Sequence, residues 1–194
     1  MLVKDLSKCD KRYRVVYADP AWQFSNKKTG GSMTSAAEQK YTVTSIDDMC
    51  ALPVADLCDD DCLLVMWYVG SMPDESLKLA RAWGFRVVNI NGFVWDKETK
   101  KGLDYFGMGF TTRASTESAL IGVKGKLGNL IKSHSVRAKI RAKVGEHSEK
   151  PQEFRDAIEK LCGEAAERDG VLDPERPARL EARPATPTCV ACAV

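Results

Sequence analysis

The chain is predicted to fold as an α/β protein, a largely parallel sheet with helices on both faces. Three observations predict this. The apolar runs Val15–Ala18, Cys62–Tyr68 and Ala119–Val123 have the length and uniform hydrophobicity of strands covered on both sides. Segments with helical spacing lie between runs of this kind, opened by proline and followed by glycine. Strand-like and helix-like segments alternate along the chain, and no internal repeat interrupts them.

The elements follow in order. Val15–Ala18 is the first strand, and Pro20 ends it because proline has no N–H for the ladder. Residues 25–40, rich in Gly, Ser, Thr and Lys, lack periodicity and read as a long loop of the lid or binding kind. Ser45 with Asp48 three residues on gives a capping-box-like start to a short helix. Cys62–Tyr68 is a strand for the middle of the sheet. Pro73 opens a helix whose Leu77, Leu79, Ala80 and Trp83 precede Gly84, a natural stop. Phe85–Trp95 is β-rich with a break at Asn91-Gly92, and residues 96–112 read as a second long loop carrying Lys97, Lys100 and Lys101. Ala119–Val123 is a further strand. Pro151 begins a helix over Gln152–Leu161, with Gly163 beyond its end. After Glu164 the composition shifts to Pro, Ala, Arg and Glu. Residues 1–163 are therefore expected to form one domain and residues 164–194 a poorly ordered extension.

Bulk composition narrows the function classes. A chain of 194 residues with 44% hydrophobic content can bury a sizeable core. It has no apolar run long enough to span a bilayer, and its N-terminus is charged from Lys4 onward. A cytoplasmic protein without a membrane partner is expected. Seven scattered cysteines, an odd number, argue for reduced thiols. Cys189 and Cys192 have zinc-ligand spacing but lack a second pair, so no metal site is expected. The net charge of +2 does not by itself indicate a nucleic acid. Residues 124–143, however, carry seven Lys and Arg and no acidic residue. Such a run suits either a solvated face or a phosphate-contacting track.

The most informative stretch is Asp19-Pro20-Ala21-Trp22, directly after the first strand. A carboxylate, backbone carbonyls beside a proline, and an indole suit a flat ring with an exocyclic amine. The acceptors would take the amine hydrogens while the indole stacks on the ring. The same residues also suit an ordinary strand exit with a solvated Asp19 and a half-buried Trp22. In open α/β sheets ligands collect at the C-terminal strand edge, where Asp19, Trp67 and Lys97 would lie.

The tetrad resembles the Asp/Asn-Pro-Pro-aromatic motif of amino-group methyltransferases that use S-adenosylmethionine. More widely, the chain resembles the MT-A70 family of adenine-N6 methyltransferases in its bacterial and phage form. Tyr41-Thr42-Val43-Thr44-Ser45 is similar to the family's Tyr-x-Thr-Met-Ser segment, and Cys62–Trp67 to its next strand, ending in Trp. Phe93-Val94-Trp95-Asp96-Lys97 resembles the strand ending Trp-x-Lys. Gly107-Met108-Gly109-Phe110, Arg113, Glu117 and Leu120–Gly125 resemble the Gly-x-Gly-aromatic stretch and the strand after it. Glu146-His147-Ser148-Glu149-Lys150-Pro151 with Glu153 is similar to the His-Ser-x-Lys-Pro-x-Glu signature. The matches keep the family's order from about residue 13 to about residue 163. Two departures stand out. Ala21 replaces the motif's second proline, and residues 182–194 do not resemble the family's final segment, which holds much of its cofactor site. A divergent, truncated or frame-shifted C-terminus is one expectation from that mismatch.

The resemblance implies a Rossmann-like, S-adenosylmethionine-dependent methyltransferase sheet with permuted motif order, the catalytic strand preceding the cofactor-binding segment. It implies methyl transfer to the N6 amine of adenine in DNA, with RNA as an alternative substrate. A catalytically silent nucleic-acid-binding relative is the reading from a different class. Asp19, Pro20, Ala21 and Trp22 would be catalytic, while Asp19, His147, Ser148 and Lys150 would hold the cofactor. Tyr41, Trp67, Lys97 and Arg113 would contact the substrate. His147 also suits a surface position at a helix start, and Lys150 a solvated helix-flanking charge.

Overall fold

The computed structural model describes residues 12–22, 45–109, 111–145 and 149–163, and the backbone of Val171–Leu172. Its strands are β1 (Tyr13–Ala18), β2 (Cys58–Tyr68), β3 (Arg86–Glu98), β4 (Thr116–Lys124), β5 (Lys139–Lys143) and β6 (Val171–Leu172). Its α-helices are α1 (Ile46–Cys50), α2 (Pro73–Ala82) and α3 (Gln152–Cys162). The strands form one sheet in the order β5-β3-β4-β2-β1-β6. β1 runs parallel to both β2 and β6, β3 runs parallel to β5, and β4 is antiparallel to its neighbours β2 and β3. This is the α/β class expected from the sequence, with helices on both faces, but the sheet is mixed rather than largely parallel because β4 runs antiparallel to both of its neighbours.

Side-chain alternation sorts the core into two layers. Val16, Ala18, Leu64 and Met66 face one way and pack with Met49 of α1 and Leu79 and Ala80 of α2. Val15, Tyr17, Leu63, Val65 and Trp67 face the other way and pack with Phe154 and Ile158 of α3. Tyr13 breaks the alternation by joining the first layer, and the β1–β2 register shifts between Tyr13 and Val15 to allow it. The Trp83 indole donates to the Met49 carbonyl at 2.9 Å, tying the end of α2 to α1. Ser45 caps α1 as the spacing predicts, its hydroxyl accepting from the Asp48 N–H at 3.1 Å.

Several boundaries differ from expectation. β2 begins at Cys58, four residues earlier, because buried Cys58 pairs with Tyr13 while Asp59–Asp61 stay at the surface. β3 passes through Asn91-Gly92, and a register shift between Asn89 and Phe93 absorbs the break. It continues to Glu98, so Lys97 sits on a strand rather than in a loop. β5 was not expected at all. It lies inside the basic run, with buried Ala142 and half-buried Ile140 alternating with exposed Lys139, Arg141 and Lys143. The Trp95 indole donates to the Ala142 carbonyl at 2.8 Å and pins this edge strand down. Beyond residue 163, the backbone of β6 pairs with Val15 and Val16. Among the described residues no helix is long and apolar enough to cross a membrane.

Candidate active site

Adjacent strands end side by side at one edge of the sheet. Ala18 is opposite Met66, Trp67 opposite Ala119, and Trp95 opposite Glu117. Asp19, which leaves β1, Trp67 on β2, Glu117 near the start of antiparallel β4, and Lys97 on β3 therefore form a row across four neighbouring strands. Lys150, just before α3, reaches into this row from the helix layer.

The row is a chain of alternating charge. Lys150 Nζ donates to Asp19 Oδ2 at 2.6 Å and lies 3.5 Å from Glu117 Oε2. Lys97 Nζ donates to the other carboxylate oxygen of Glu117, at 2.5 Å. The Lys150 side chain is only 8% exposed. A cation that far from water needs compensating anions, and the described residues supply two, together with the Trp67 ring 5.4 Å from its ammonium. Lys97 is supported in the same way, 4.9 Å from the Trp95 ring centroid and 5.5 Å from that of Tyr105.

The Asp19–Trp22 tetrad is more constrained than its sequence suggests. Asp19 and Trp22 are half-buried and Pro20 is buried. The Pro20 carbonyl accepts the Trp22 N–H at 2.8 Å, and the Trp22 indole donates to the Trp67 carbonyl at 3.1 Å. One lone pair of the Pro20 oxygen is thus engaged within the turn, leaving its second lone pair as acceptor capacity. The turn keeps a tight bend with Ala21 in place of a second proline, because these two bonds hold Trp22.

Among the residues singled out from the sequence, the structure brings together Asp19, Trp67, Lys97 and Lys150. Trp67 was expected to touch substrate, but its side chain lies in the core beneath the row, 2% exposed. There its indole donates to the Tyr17 hydroxyl at 2.8 Å and its ring meets Phe154 edge-on at 4.8 Å. Arg113 stands apart on an exposed segment, its guanidinium 5.0 Å from the Phe106 ring. Tyr41, His147 and Ser148 lie outside the described residues, as do Cys189 and Cys192. Glu117 is the residue that sequence reasoning left without a role. Its signal was a carboxylate just ahead of the apolar run Ala119–Val123.

The basic run is less uniform than its composition implied. Lys139 pairs with Asp96, and Arg141 with both Glu98 and Asp104. Lys124 donates to the carbonyls of Ala55 and Cys58. Lys126, Lys132, Arg137 and Lys143 remain exposed.

The MT-A70 family model matches residues 13–187. The chain is also similar to a Type II methyltransferase, M.MunI, from a Mycoplasma species. The two are 32% identical over 165 residues, which cover 78% of this chain and 68% of the relative.

Proposed function

Since the chain belongs to the MT-A70 family of methyltransferases, we propose that it transfers a methyl group from S-adenosylmethionine to the N6 amine of adenine in DNA. The observation that carries this reading is the Asp19 carboxylate at the tip of β1, held by Lys150 and followed by a turn that fixes the half-buried Trp22 through the Trp67 carbonyl.

The charges present fit the cofactor. Its amino-acid end is a zwitterion and its sulfonium is a cation, and an alternating row of carboxylates and ammoniums offers a partner for each. S-adenosylmethionine, when bound, supplies an electrophilic methyl group. The protein's task is then to orient the acceptor amine. The exocyclic nitrogen of adenine is a weak nucleophile because its lone pair is delocalised into the ring. Asp19 and the Pro20 carbonyl accept its hydrogens, which lets the nitrogen turn its lone pair out of the ring plane. The same acceptors stabilise the positive charge that develops on nitrogen. A carboxylate has about four acceptor positions, so the bond from Lys150 to Oδ2 leaves capacity for an amine hydrogen. Trp22 holds the ring plane, and orientation supplies a large part of the rate. No strong general base is required, because the proton leaves readily once the nitrogen is cationic.

Similarity to a Type II methyltransferase favours DNA over RNA as the substrate. Incubation with methyl-labelled S-adenosylmethionine and either DNA or RNA is expected to label DNA preferentially. Isothermal titration separates this reading from that of a silent nucleic-acid-binding relative. Saturable cofactor binding is expected, and its absence at high micromolar cofactor would contradict it.

A further inference from the structure

The hairpin that follows β3 carries side chains that the proposed chemistry does not use. Phe106, Met108 and Leu103 are 76%, 89% and 65% exposed, more than any other large apolar side chain among the described residues. The segment is nevertheless built rather than loose. Glu98 bridges to Asp104, the Tyr105 N–H donates to the Lys97 carbonyl at 3.2 Å, and the Gly107 N–H donates to the Ala114 carbonyl at 3.1 Å. Arg141 on β5 clamps the base, bonding to Glu98 at 2.6 Å and to Asp104 at 2.5 Å.

Gly107 and Gly109 let the two arms close. A Cβ at Gly107 would stand 2.3 Å from the Ala114 carbonyl oxygen, and one at Gly109 2.0 Å from that of Thr112. With positions 107 and 109 turned against the other arm, the side chains at 106 and 108 stand in solvent. Arg113, on the return arm, places its guanidinium 5.0 Å from the Phe106 ring. Residues 105–116 contain no acidic side chain. The root of the hairpin is Lys97, itself a member of the charged row at the reaction site.

An apolar tip flanked by a cation complements a polyanion that also offers apolar faces to stack on. An adenine paired in a duplex keeps its amine out of reach of a strand tip, so it must leave the stack before it can react. Apolar side chains inserted between base steps unstack them. We propose that Phe106 and Met108 form a wedge that enters the base stack beside the target adenine, with Arg113 holding a flanking phosphate. The proposal rests on the DNA reading above.

The test uses the double variant Phe106→Ala/Met108→Ala and the single variant Phe106→Trp, on the full chain. Two readouts are taken: label transfer from methyl-labelled S-adenosylmethionine to duplex DNA, and fluorescence of a duplex in which 2-aminopurine replaces part of the adenine. The unaltered protein is expected to transfer label and to raise the fluorescence as bases unstack. The double variant is expected to lose about tenfold or more of the transfer and most of the fluorescence rise, because both need the stack opened. Phe106→Trp is expected to retain both. Undiminished transfer by the double variant would overturn the wedge, as would a transfer loss with the fluorescence rise unchanged. Conversion of a dimer to a monomer by the double variant, seen in sedimentation without DNA, would assign the patch to self-association and overturn it too. If the unaltered protein transfers no label to DNA, the DNA reading itself fails, and the wedge falls with it.

Discussion

Replacing Asp19 removes the acceptor at the strand tip and takes one of its anionic partners from Lys150. Asp19→Ala is expected to lower methyl transfer by about two to three orders of magnitude, the scale for losing a preorganised electrostatic contact. DNA binding, measured by fluorescence anisotropy, should stay close to that of the unaltered protein. Glu117→Gln removes the anion shared by Lys97 and Lys150, one of which is deeply buried. The cost is expected at about 1–3 kcal/mol in urea unfolding, between the values for exposed and buried pairs. A loss within error would make the row incidental. Asp19 and Lys150 were both legible in the sequence because each sits in a motif of its own. Their pairing was not, because they are 131 residues apart and only the sheet brings them together. Glu117 was matched as part of a segment, yet it acquires a role only through partners on other elements.

Among the elements, the turn after β4 shows how local chemistry holds the site's scaffold. Asp61 accepts from the Lys126 N–H at 2.7 Å and from the Asn129 side-chain amide at 2.5 Å, which ties β2 to that turn. The Asn129 bond first, and then the Lys126 N–H, hold the Asp61 carboxyl below its usual range. The ionised clamp is therefore fully stabilising above the ordinary aspartate value of about 3.9, and its contribution fades as pH falls through the lower folded-state value. Thermal melts should show the unaltered protein more stable than Asp61→Asn near neutrality, with the gap closing in acid. A gap independent of pH would contradict this. Gly125 in the same turn has φ +70°, and a Cβ there would stand 2.2 Å from the Asp60 carbonyl oxygen. Gly125→Ala should destabilise by about 1–3 kcal/mol, read from denaturant midpoints. The apolar runs Val15–Ala18, Cys62–Tyr68 and Ala119–Val123, and the helices α2 and α3, were legible from sequence. β5 was not, because its three outward cations drowned the two-residue alternation of Ile140 and Ala142.

Across the whole molecule, the sheet gathers distant residues at one edge and covers them with α3. Its α/β character and helices on both faces could be read from the alternation of runs, whereas the antiparallel course of β4 in its middle could not. The neutralisation of much of the basic run could not, since Asp96, Glu98 and Asp104 lie on segments far from it in sequence. The exposed cations that remain, Lys126, Lys132, Arg137 and Lys143, set the scale of the salt response. DNA affinity should fall with salt, this run contributing a logarithmic slope of about −4 at most. A flat response would return it to a solvated face. The most direct measurement is mass spectrometry of nucleosides from DNA incubated with the protein and S-adenosylmethionine. N6-methyladenine is expected with the unaltered protein and should be lost with Asp19→Ala. Methylation on cytosine, or equal N6-methyladenine from both proteins, would contradict an adenine amine held by the β1 carboxylate.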